Sequence, residues 1–553
     1  MHILSIKLRY LQPSLHLPTL RCCVPVKKRL SQSHSTTSLL GKMNNLLFML
    51  LALYPWALCD SLLTSKACSE LRSDQAKLYS MAEDTMMRVD EHLKRSKEVE
   101  SIAEGFVVTI VDEEDGIDAG GGTNTLGSYN TAIFNGTQLY PGDMCEAVPG
   151  LDGKPRCGYT ESFLLGPSDV MVFYMCSPPP VRYFSHDLIL AVRLTEEYPF
   201  YPGQNFGNAI SHLSIQVDNN ESVFDEPFVI VHAFDEDAAK GTTEAFLSAG
   251  VPQSQINVRY ISPSTIRFWD RSNGQASNWK ETSPDILGHI GRVSVPFDGY
   301  EEHYNLYKNV SWPARVYFAD DDTIATNLIE PLLPSRYTAN IVDEISMLND
   351  TLALLYDAVL EKWTSSENLL FMGTQTVNLS SLGYYDDWDQ ILALKNNESF
   401  VAGTRDATYG IPIGYFGQFN TSTSGTIIGV NHKYVNNISY NSVGLDLGSA
   451  SGKYVETHWF LDEKMYGSAV RYLGEDNELA LYLFAIDFYP PGGCGTSSVP
   501  SQWCVEFSPD SYDLLKLRKL YPIIGERMYT VHETALGNPA NLTCPVLWLQ
   551  FGS

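Results

Sequence analysis

The sequence predicts an α+β fold whose centre is a ferredoxin-like βαββαβ unit, with long flanking helices and a β-rich C-terminal region. Three observations predict it. Within residues 227–320 the order strand–helix–strand occurs twice. Segments of helix length with one apolar face lie on both sides of this stretch. After about residue 366, short apolar segments alternate with Gly, Asn and Ser, a pattern typical of strands and turns.

The two halves of the central unit have the same pattern. Apolar runs of strand length at 228–234 and 256–261 enclose a helical segment at 235–249, for which Asp235 or Asp237 suits the N-cap. The second half has a strand at 292–297, a helix at 298–308 and a strand at 314–319. The order βαββαβ is the ferredoxin-like arrangement. A Rossmann-type parallel sheet is the alternative, but no Gly-x-Gly-x-x-Gly follows any of these strands.

The flanking helices are predicted from apolar residues spaced three and four apart. The first lies within 70–104, and the second, at about 340–363, is predicted to close the central domain; its apolar face carries Ile341, Ile345, Leu348, Leu352, Leu355 and Val359. The predicted organisation is an N-terminal α+β region at 60–225, the βαββαβ domain with its closing helix at 226–365 and the β-rich region at 366–553.

Residues 43–59 have the features of a secretory signal peptide. Their apolar stretch is shorter than the roughly 20 residues that a membrane span needs. Ala57 and Cys59 are small enough for a cleavage site before Asp60. The basic, Ser-rich residues 1–42 fit either an organelle transit segment or an upstream extension of the gene model, with Met43 as the true start; we favour the second. We therefore expect an extracellular or secretory-pathway protein with no stable membrane span after cleavage.

Glycosylation sequons and cysteines point to the same compartment. Nine Asn-x-Ser/Thr sequons exceed the roughly four expected by chance; they begin at Asn135, Asn220, Asn309, Asn349, Asn378, Asn397, Asn420, Asn437 and Asn541. Of the seven cysteines after residue 59, two pairs flank Gly- and Pro-rich turns, so each pair could close a short disulfide loop. These pairs are Cys145 with Cys157 and Cys494 with Cys504.

The charge balance excludes one class of partner. Residues 1–59 contain seven basic residues and no acidic residue. The rest of the chain therefore contains 31 of the 38 basic residues and all 65 acidic residues. A surface this negative repels phosphate backbones, and we expect no nucleic-acid partner.

One segment resembles a known family. Asp-Val-Met-Val-Phe-Tyr-Met-Cys-Ser-Pro-Pro-Pro-Val-Arg-Tyr-Phe-Ser at 169–185, followed by Phe-Gly-Asn-Ala-Ile at 206–210, resembles uncharacterised secreted proteins of bacteria, fungi and algae. The Pro-Pro-Val-Arg-Tyr-Phe-Ser portion is the specific part. The family has no known activity, so the resemblance implies no catalytic residues.

Carboxylates follow two strands that the repeat makes equivalent. Asp235 and Asp237 follow the first, and Asp320 and Asp322 follow the last. Such oxygens could bind a divalent cation, or Asp235 and Asp320 could act as acid and base. Helix capping and a solvated acidic surface explain the same residues. We predict no cofactor, with a divalent cation as the alternative.

Two histidines and one polar pair are the remaining candidates. His232 shares a strand face with Phe228 and Phe234, which fits a core residue as well as a catalyst. His186 stands between Ser185 and Asp187, but neighbours in a strand point to opposite faces, so these three cannot form a triad.

Arg182 and Tyr183 follow three prolines. A backbone fixed by proline suits presentation of a polar pair for binding. The alternative is a rigid corner with Tyr183 packed inside.

The leading functional interpretation is a secreted or surface glycoprotein that binds glycan or another surface component. An extracytoplasmic hydrolase with carboxylate or His residues near strand ends is the first alternative, and an acidic cation-binding protein is the second. Whether the chain is an enzyme stays open, because the sequence does not show which groups converge.

Overall fold

The structure is a computed structural model. It describes residues 62–70, 73–110, 128–139, 158–194, 199–200, 204–206, 209–218, 222–270, 283–320, 325, 327–331, 344–363, 384–385, 407–410, 423–435, 438–449, 454–496, 499–510, 520–530 and 546–551.

The first part of the chain builds one large mixed sheet of thirteen strands. The strands are β1 (Ser101–Ile110), β2 (Ser128–Asn135), β3 (Tyr159–Thr160), β4 (Ser162–Phe163), β5 (Val170–Cys176), β6 (Phe184–Leu194), β7 (Pro199–Phe200), β8 (Gln204–Asn205), β9 (Ile210–Ser211), β10 (Pro227–Ala233), β11 (Ile256–Tyr260), β12 (Ile286–Val293) and β13 (Trp312–Phe318). Nine of them follow the order β11-β10-β5-β13-β1-β2-β12-β6-β7, and β3, β4, β8 and β9 pair beside this path.

The predicted ferredoxin-like unit with long flanking helices is wrong. Three of its predicted strands correspond to β10, β11 and β13, whereas the strand predicted at 292–297 shares only its first two residues with β12, which is Ile286–Val293. All four strands lie in the large sheet. However, β1 and β2 separate β12 from β13, and β5 separates β13 from β10. The error has a physical cause: local periodicity predicts where a strand is, whereas pairing depends on edges contributed by residues far away in the chain.

The large sheet curls until strands near its two ends face each other. The ring of Phe173 on β5 lies 5.9 Å from that of His232 on β10 and 4.5 Å from that of His289 on β12. Phe228 on β10 lies 5.9 Å from His186 on β6. Since four strands separate β10 from β12 along the sheet, only a nearly closed curl brings these rings together. The inner face of the sheet therefore forms an enclosed core.

Helices pack on the outside of the large sheet. They are α1 (Ser65–Glu70), α2 (Gln75–Ser96), α3 (Gly136–Leu139), α4 (Glu236–Ser248) and α5 (Glu301–Lys308), with short 3-10 helices at Gln253–Gln255 and Pro263–Thr265. Helix α2 is fixed to β13 by the buried guanidinium of Arg315, which pairs with Glu83 and, at 3.2 Å, with Asp90. The Tyr317 hydroxyl donates to the same Asp90 carboxylate at 2.9 Å. Pairing offsets the cost of burying these charges.

The second part of the chain contributes two smaller sheets. One has the order β14-β15-β21-β17-β18 and the other β20-β19-β16-β22. Their strands are β14 (Tyr384–Tyr385), β15 (Ala407–Gly410), β16 (Thr423–Val430), β17 (Ile438–Ser449), β18 (Tyr454–Leu461), β19 (Leu483–Tyr489), β20 (Cys504–Glu506), β21 (Leu520–Thr530) and β22 (Val546–Phe551). Helices here are α6 (Glu344–Trp363), α7 (His432–Val435), α8 (Asp462–Met465), α9 (Val470–Leu473) and α10 (Gly493–Thr496), with 3-10 helices at Glu478–Tyr482 and Ser501–Trp503.

Helix α6 is the segment predicted to close the central domain. Its apolar face instead packs on the four-stranded sheet, where Leu348, Leu355 and Val359 share a core with Ile428 and Leu483. Among the described residues, no helix is both long and apolar enough to cross a membrane.

Two cysteine pairs lie at disulfide distance. Cys494 and Cys504 have Cα atoms 5.9 Å apart, which is compatible with the predicted short loop. Cys68 and Cys176, with Cα atoms 5.6 Å apart, form a pair that the sequence did not suggest because 108 positions separate them. It ties α1 to the end of β5. Cys145 and Cys157 lie outside the described residues.

Candidate functional site

Of the four carboxylates predicted as possible cation ligands, Asp235 has a structural role. The Asp235 carboxylate caps α4, accepting from the backbone N–H groups of Asp237 and Ala238 at 3.0 Å, and a third bond comes from Asn327 at 3.1 Å. Asp237 and Asp320 are exposed, and Asp322 lies outside the described residues. Over the part of the chain that the structure describes, no group of three or more His, Cys, Asp or Glu residues is arranged to hold a metal ion.

His186 and His232, which the sequence suggested separately, meet inside the curled sheet together with His289. The three imidazoles are fully or almost fully buried. Nδ1 of His186 lies 3.3 Å from Nε2 of His289, and the two rings stack at 5.4 Å. The His186 ring has room because its cross-strand neighbour is Gly291, where a Cβ would lie 3.0 Å from Nδ1. The strands place this cluster in the enclosed core of the large sheet.

Burial keeps the three histidines neutral. It lowers the pKa of His186 to about 4 and that of His232 to about 3, the latter with further lowering by Arg259 and His186. Burial also lowers the pKa of His289, and the neighbouring histidines and Arg292 add to that effect. A desolvated imidazole resists protonation because the interior solvates its charge poorly. The cluster is therefore a polar part of the core.

The residues beside His186 point away from this cluster. Asp187 forms a buried ion pair with Arg292, at 2.5 Å between Oδ2 and Nη1. Ser185 lies on the same side as Asp187, with Oγ 3.5 Å from Oδ2. The alternation along β6 thus puts His186 on one face of the strand and Ser185 and Asp187 on the other, as expected.

The side chains of Arg182 and Tyr183 also point in different directions. Tyr183 is buried, with its ring 5.4 Å from that of His212. The Arg182 guanidinium reaches from the large sheet to α8, where Nη1 pairs with Glu463 and lies 3.5 Å from Oδ1 of Asp462. Lys433 joins them, with Nζ 2.9 Å from Asp462 and 2.8 Å from Glu463. These four residues link the two parts of the molecule.

The two carboxyl groups of this cluster titrate differently. Burial raises the pKa of Asp462 well above its usual range, and its hydrogen bond with Glu463 adds to the rise while Lys433 opposes it. Burial opposes ionisation of Glu463 too, but hydrogen bonds with Asp462, Lys433 and Arg182 hold the pKa of Glu463 well below its usual range. As the pH falls, Asp462 therefore binds a proton before Glu463 does.

Exposed aromatic rings surround the charged residues. Tyr434 and Tyr466 follow Lys433 and Glu463 closely in sequence, are 37% and 40% exposed, and have ring centroids 4.4 Å apart. Phe297, 44% exposed, lies 5.8 Å from the Arg182 guanidinium. We call Arg182, Lys433, Glu463, Phe297, Tyr434 and Tyr466 the Arg182 surface. The sequence indicated only Arg182, because the other five residues are brought to it by packing.

Three of the predicted glycosylation sequons lie in described segments. Asn309 and Asn349 are exposed, and Asn135 at the end of β2 is partly buried. The others, Asn220, Asn378, Asn397, Asn420, Asn437 and Asn541, lie outside the described residues.

The chain was compared with family models, curated proteins and solved structures. No family model matches the chain, and no curated protein matches it. Among solved structures, the VPA0106 protein from Vibrio parahaemolyticus is similar over 70% of this chain and 87% of its own length, at 10% identity and a TM-score of 0.31. A TM-score this low carries no argument about fold or function.

Proposed function

We propose that the chain is a secreted or cell-surface glycoprotein that binds carbohydrate through the Arg182 surface. The observation that carries the proposal is the exposed pair Tyr434 and Tyr466 beside the partly exposed charges of Lys433 and Glu463. Aromatic side chains present a rigid apolar face together with a polar edge. Charged side chains next to such a face can orient hydroxyl groups, and this combination suits a sugar ring.

The geometry also supports preorganisation. Glu463 is held by Arg182 and Lys433, so its carboxylate has one orientation before a ligand arrives. A side chain that is already fixed loses less entropy on binding. The predicted signal peptide and the sequon excess support the proposal, because an exported protein would meet extracellular glycans.

The test is a binding screen of the glycosylated, secreted chain against immobilised oligosaccharides. For a sugar that binds, Tyr434→Ala with Tyr466→Ala should weaken binding by about tenfold or more, since an aromatic contact of this kind is worth roughly 1 kcal/mol or more. Tyr159→Ala is the matched control, because Tyr159 is an exposed tyrosine packed on an aromatic ring elsewhere, 5.5 Å from Phe106. Equal binding by both variants, or no binding by the unaltered chain, would refute the proposal.

A hydrolase is the second candidate, favoured by the hydrogen-bonded pair of Asp462 and Glu463 with opposite pKa shifts. A protonated and an ionised carboxyl side by side can supply an acid and a base. If the Arg182 surface hydrolyses a bound glycan, Glu463→Gln should abolish product formation while the oligosaccharide still binds. Undiminished turnover by that variant would exclude this candidate.

A further inference from the structure

A second cluster of charges lies on the four-stranded sheet and shares no residue with the Arg182 surface. Its centre is the fully buried carboxylate of Asp487 on β19. Oδ1 accepts from the Thr426 hydroxyl at 2.6 Å and from the Tyr472 hydroxyl at 2.8 Å. Oδ2 accepts from Lys362 Nζ at 2.6 Å, and Nη2 of Arg471 lies 3.2 Å away. The carboxylate thus accepts three hydrogen bonds and has the Arg471 guanidinium as a further ion-pair partner.

Two cations share this one carboxylate, so the cluster carries an excess positive charge. Arg471 is not saturated in return. Its Nε atom is buried and has no hydrogen-bond acceptor among the described residues, and Nη2 contacts Asp487 without the geometry of a hydrogen bond. A buried donor without an acceptor is costly, so the Arg471 side of the cluster is short of negative charge and of acceptors.

The cations are the accessible part of the cluster. The side chain of Lys362 is 30% exposed and that of Arg471 is 16% exposed, whereas Asp487 is covered. Burial lowers the pKa of Lys362, with Arg471 adding to the effect and Asp487 opposing it. An additional anion would offset both the cost of desolvating the cations and the repulsion between them.

Aromatic rings enclose the same two cations. Lys362 Nζ lies 4.6 Å from the ring centroid of Trp363 and 5.9 Å from that of Tyr489. The guanidinium of Arg471 lies 5.5 Å from the Trp503 ring. A negatively charged group here would have apolar walls around it, where charge-assisted hydrogen bonds are strong. The chain as a whole is strongly acidic, with a net charge of −27. A local excess of positive charge would therefore direct an anion to this cluster and not to the rest of the surface.

We propose that Lys362 and Arg471 form a binding site for an anionic group, a carboxylate or sulfate carried by a ring-shaped ligand. The charges bind the anion, and the partly exposed Tyr489 and Trp503 rings contact the body of the ligand. The buried Trp363 ring packs beside Lys362. This site uses none of the residues of the Arg182 surface, so it can exist whether or not that surface binds carbohydrate.

The test measures binding of three tetrasaccharides to the full secreted chain by calorimetry: one of uronic acid units, one sulfated, and one neutral. At least one acidic tetrasaccharide should bind, and the neutral one should bind at least about tenfold more weakly, because it lacks the charge-assisted bonds. The first two probes distinguish carboxylate from sulfate recognition. Failure of both acidic probes to bind would overturn the proposal.

Lys362→Met keeps the apolar stem and removes the charge. It should weaken binding of the acidic tetrasaccharide by about tenfold or more, while Lys362→Arg should retain most of it. The matched control is Lys308→Met, since Lys308 also lies over a tyrosine ring, 4.8 Å from the Tyr304 centroid, but on helix α5 beside the large sheet. Equal affinity for Lys362→Met and the unaltered chain would refute the site.

A measurement on the unaltered chain covers the case in which Lys362→Met does not fold. Binding of the acidic probe should change the fluorescence of Trp363 and Trp503 and should weaken as salt is raised, because salt screens partly exposed charges. Salt-independent binding without a fluorescence change would place the ligand elsewhere and overturn the proposal. The Tyr434→Ala, Tyr466→Ala chain should bind the acidic probe normally, which keeps this test separate from that of the Arg182 surface.

Discussion

Two clusters of ionisable residues show how burial decides what a group can do. His186, His232 and His289 meet inside the curled sheet, where burial keeps all three neutral. Arg182 and Glu463 meet where the two parts of the molecule touch, and they keep their charges at a partly open surface. The sequence suggested His186 and His232 as catalytic candidates and Arg182 as a binding candidate. In the structure the histidines belong to the enclosed core, whereas the charged residues around Arg182 are partly exposed.

The largest expected effect concerns acid and the buried histidines. Their folded-state pKa values lie below the ordinary value of about 6.5, so the unfolded chain binds more protons as the pH falls. The stability is fully present above about pH 6.5 and declines as the pH falls towards the folded-state values of about 4 and about 3. By pH 4 the loss is at most about 3 kcal/mol for each histidine. Denaturant unfolding between pH 7 and pH 4 measures it.

His232→Phe isolates the contribution of one histidine. Phe fits the apolar surroundings that Phe173 provides. In the variant, the number of protons taken up on unfolding in acid, which sets the slope of the unfolding free energy against pH, should fall by about one. An unchanged slope would show that His232 is protonated in the folded chain and that the cluster is open to water.

The second prediction compares two arginines. Arg292 pairs with the buried carboxylate of Asp187, so Arg292→Met leaves an uncompensated buried charge and should cost about 3–5 kcal/mol of unfolding free energy. Arg182→Met removes a cation from Glu463, which is 43% exposed and keeps Lys433 as a partner. Water and Lys433 compensate there, and the expected loss is about 1 kcal/mol. Urea unfolding of the two variants gives the comparison directly, and equal losses would contradict it.

Several local features could be predicted from the sequence. The apolar run at 228–234 lies in and just after β10, and Asp235 caps the following helix. Such features depend on a few neighbouring residues, whose spacing and capping chemistry are visible in the sequence. The same local information placed His232 on one face with Phe228.

The pairing of the strands and the composition of the site could not be predicted. Asp462 and Glu463 follow Arg182 by 280 and 281 positions, and no periodic pattern connects them. The mistaken ferredoxin-like unit has the same cause, since β1, β2 and β5 enter the sheet between strands that are consecutive in the repeat. Edge pairing over such distances depends on the whole fold. A chain with two equivalent strand–helix–strand segments can therefore still build a different sheet.

The smallest expected effect is a change in the titration of Asp462. Glu463→Gln removes the carboxylate whose hydrogen bond helps to raise the pKa of Asp462, so that pKa should fall. It should stay above its usual range, because burial is the main cause of the shift and is unchanged. Since Glu463 is partly exposed, the stability should change by only about 0.5 kcal/mol.

Carboxyl NMR titration of the two chains measures this shift. Glu506→Gln is the control, because Glu506 is a carboxylate on β20 outside the Arg182 surface. If the Asp462 pKa returns to its ordinary value in Glu463→Gln, Asp462 is solvated, and the contrast between a neutral enclosed cluster and a charged surface would weaken. If the Asp462 pKa is as high in Glu463→Gln as in Glu506→Gln, burial alone sets that pKa. A partial fall would show that the Arg182 surface combines the desolvation of the histidine cluster with charge pairing that the histidines lack.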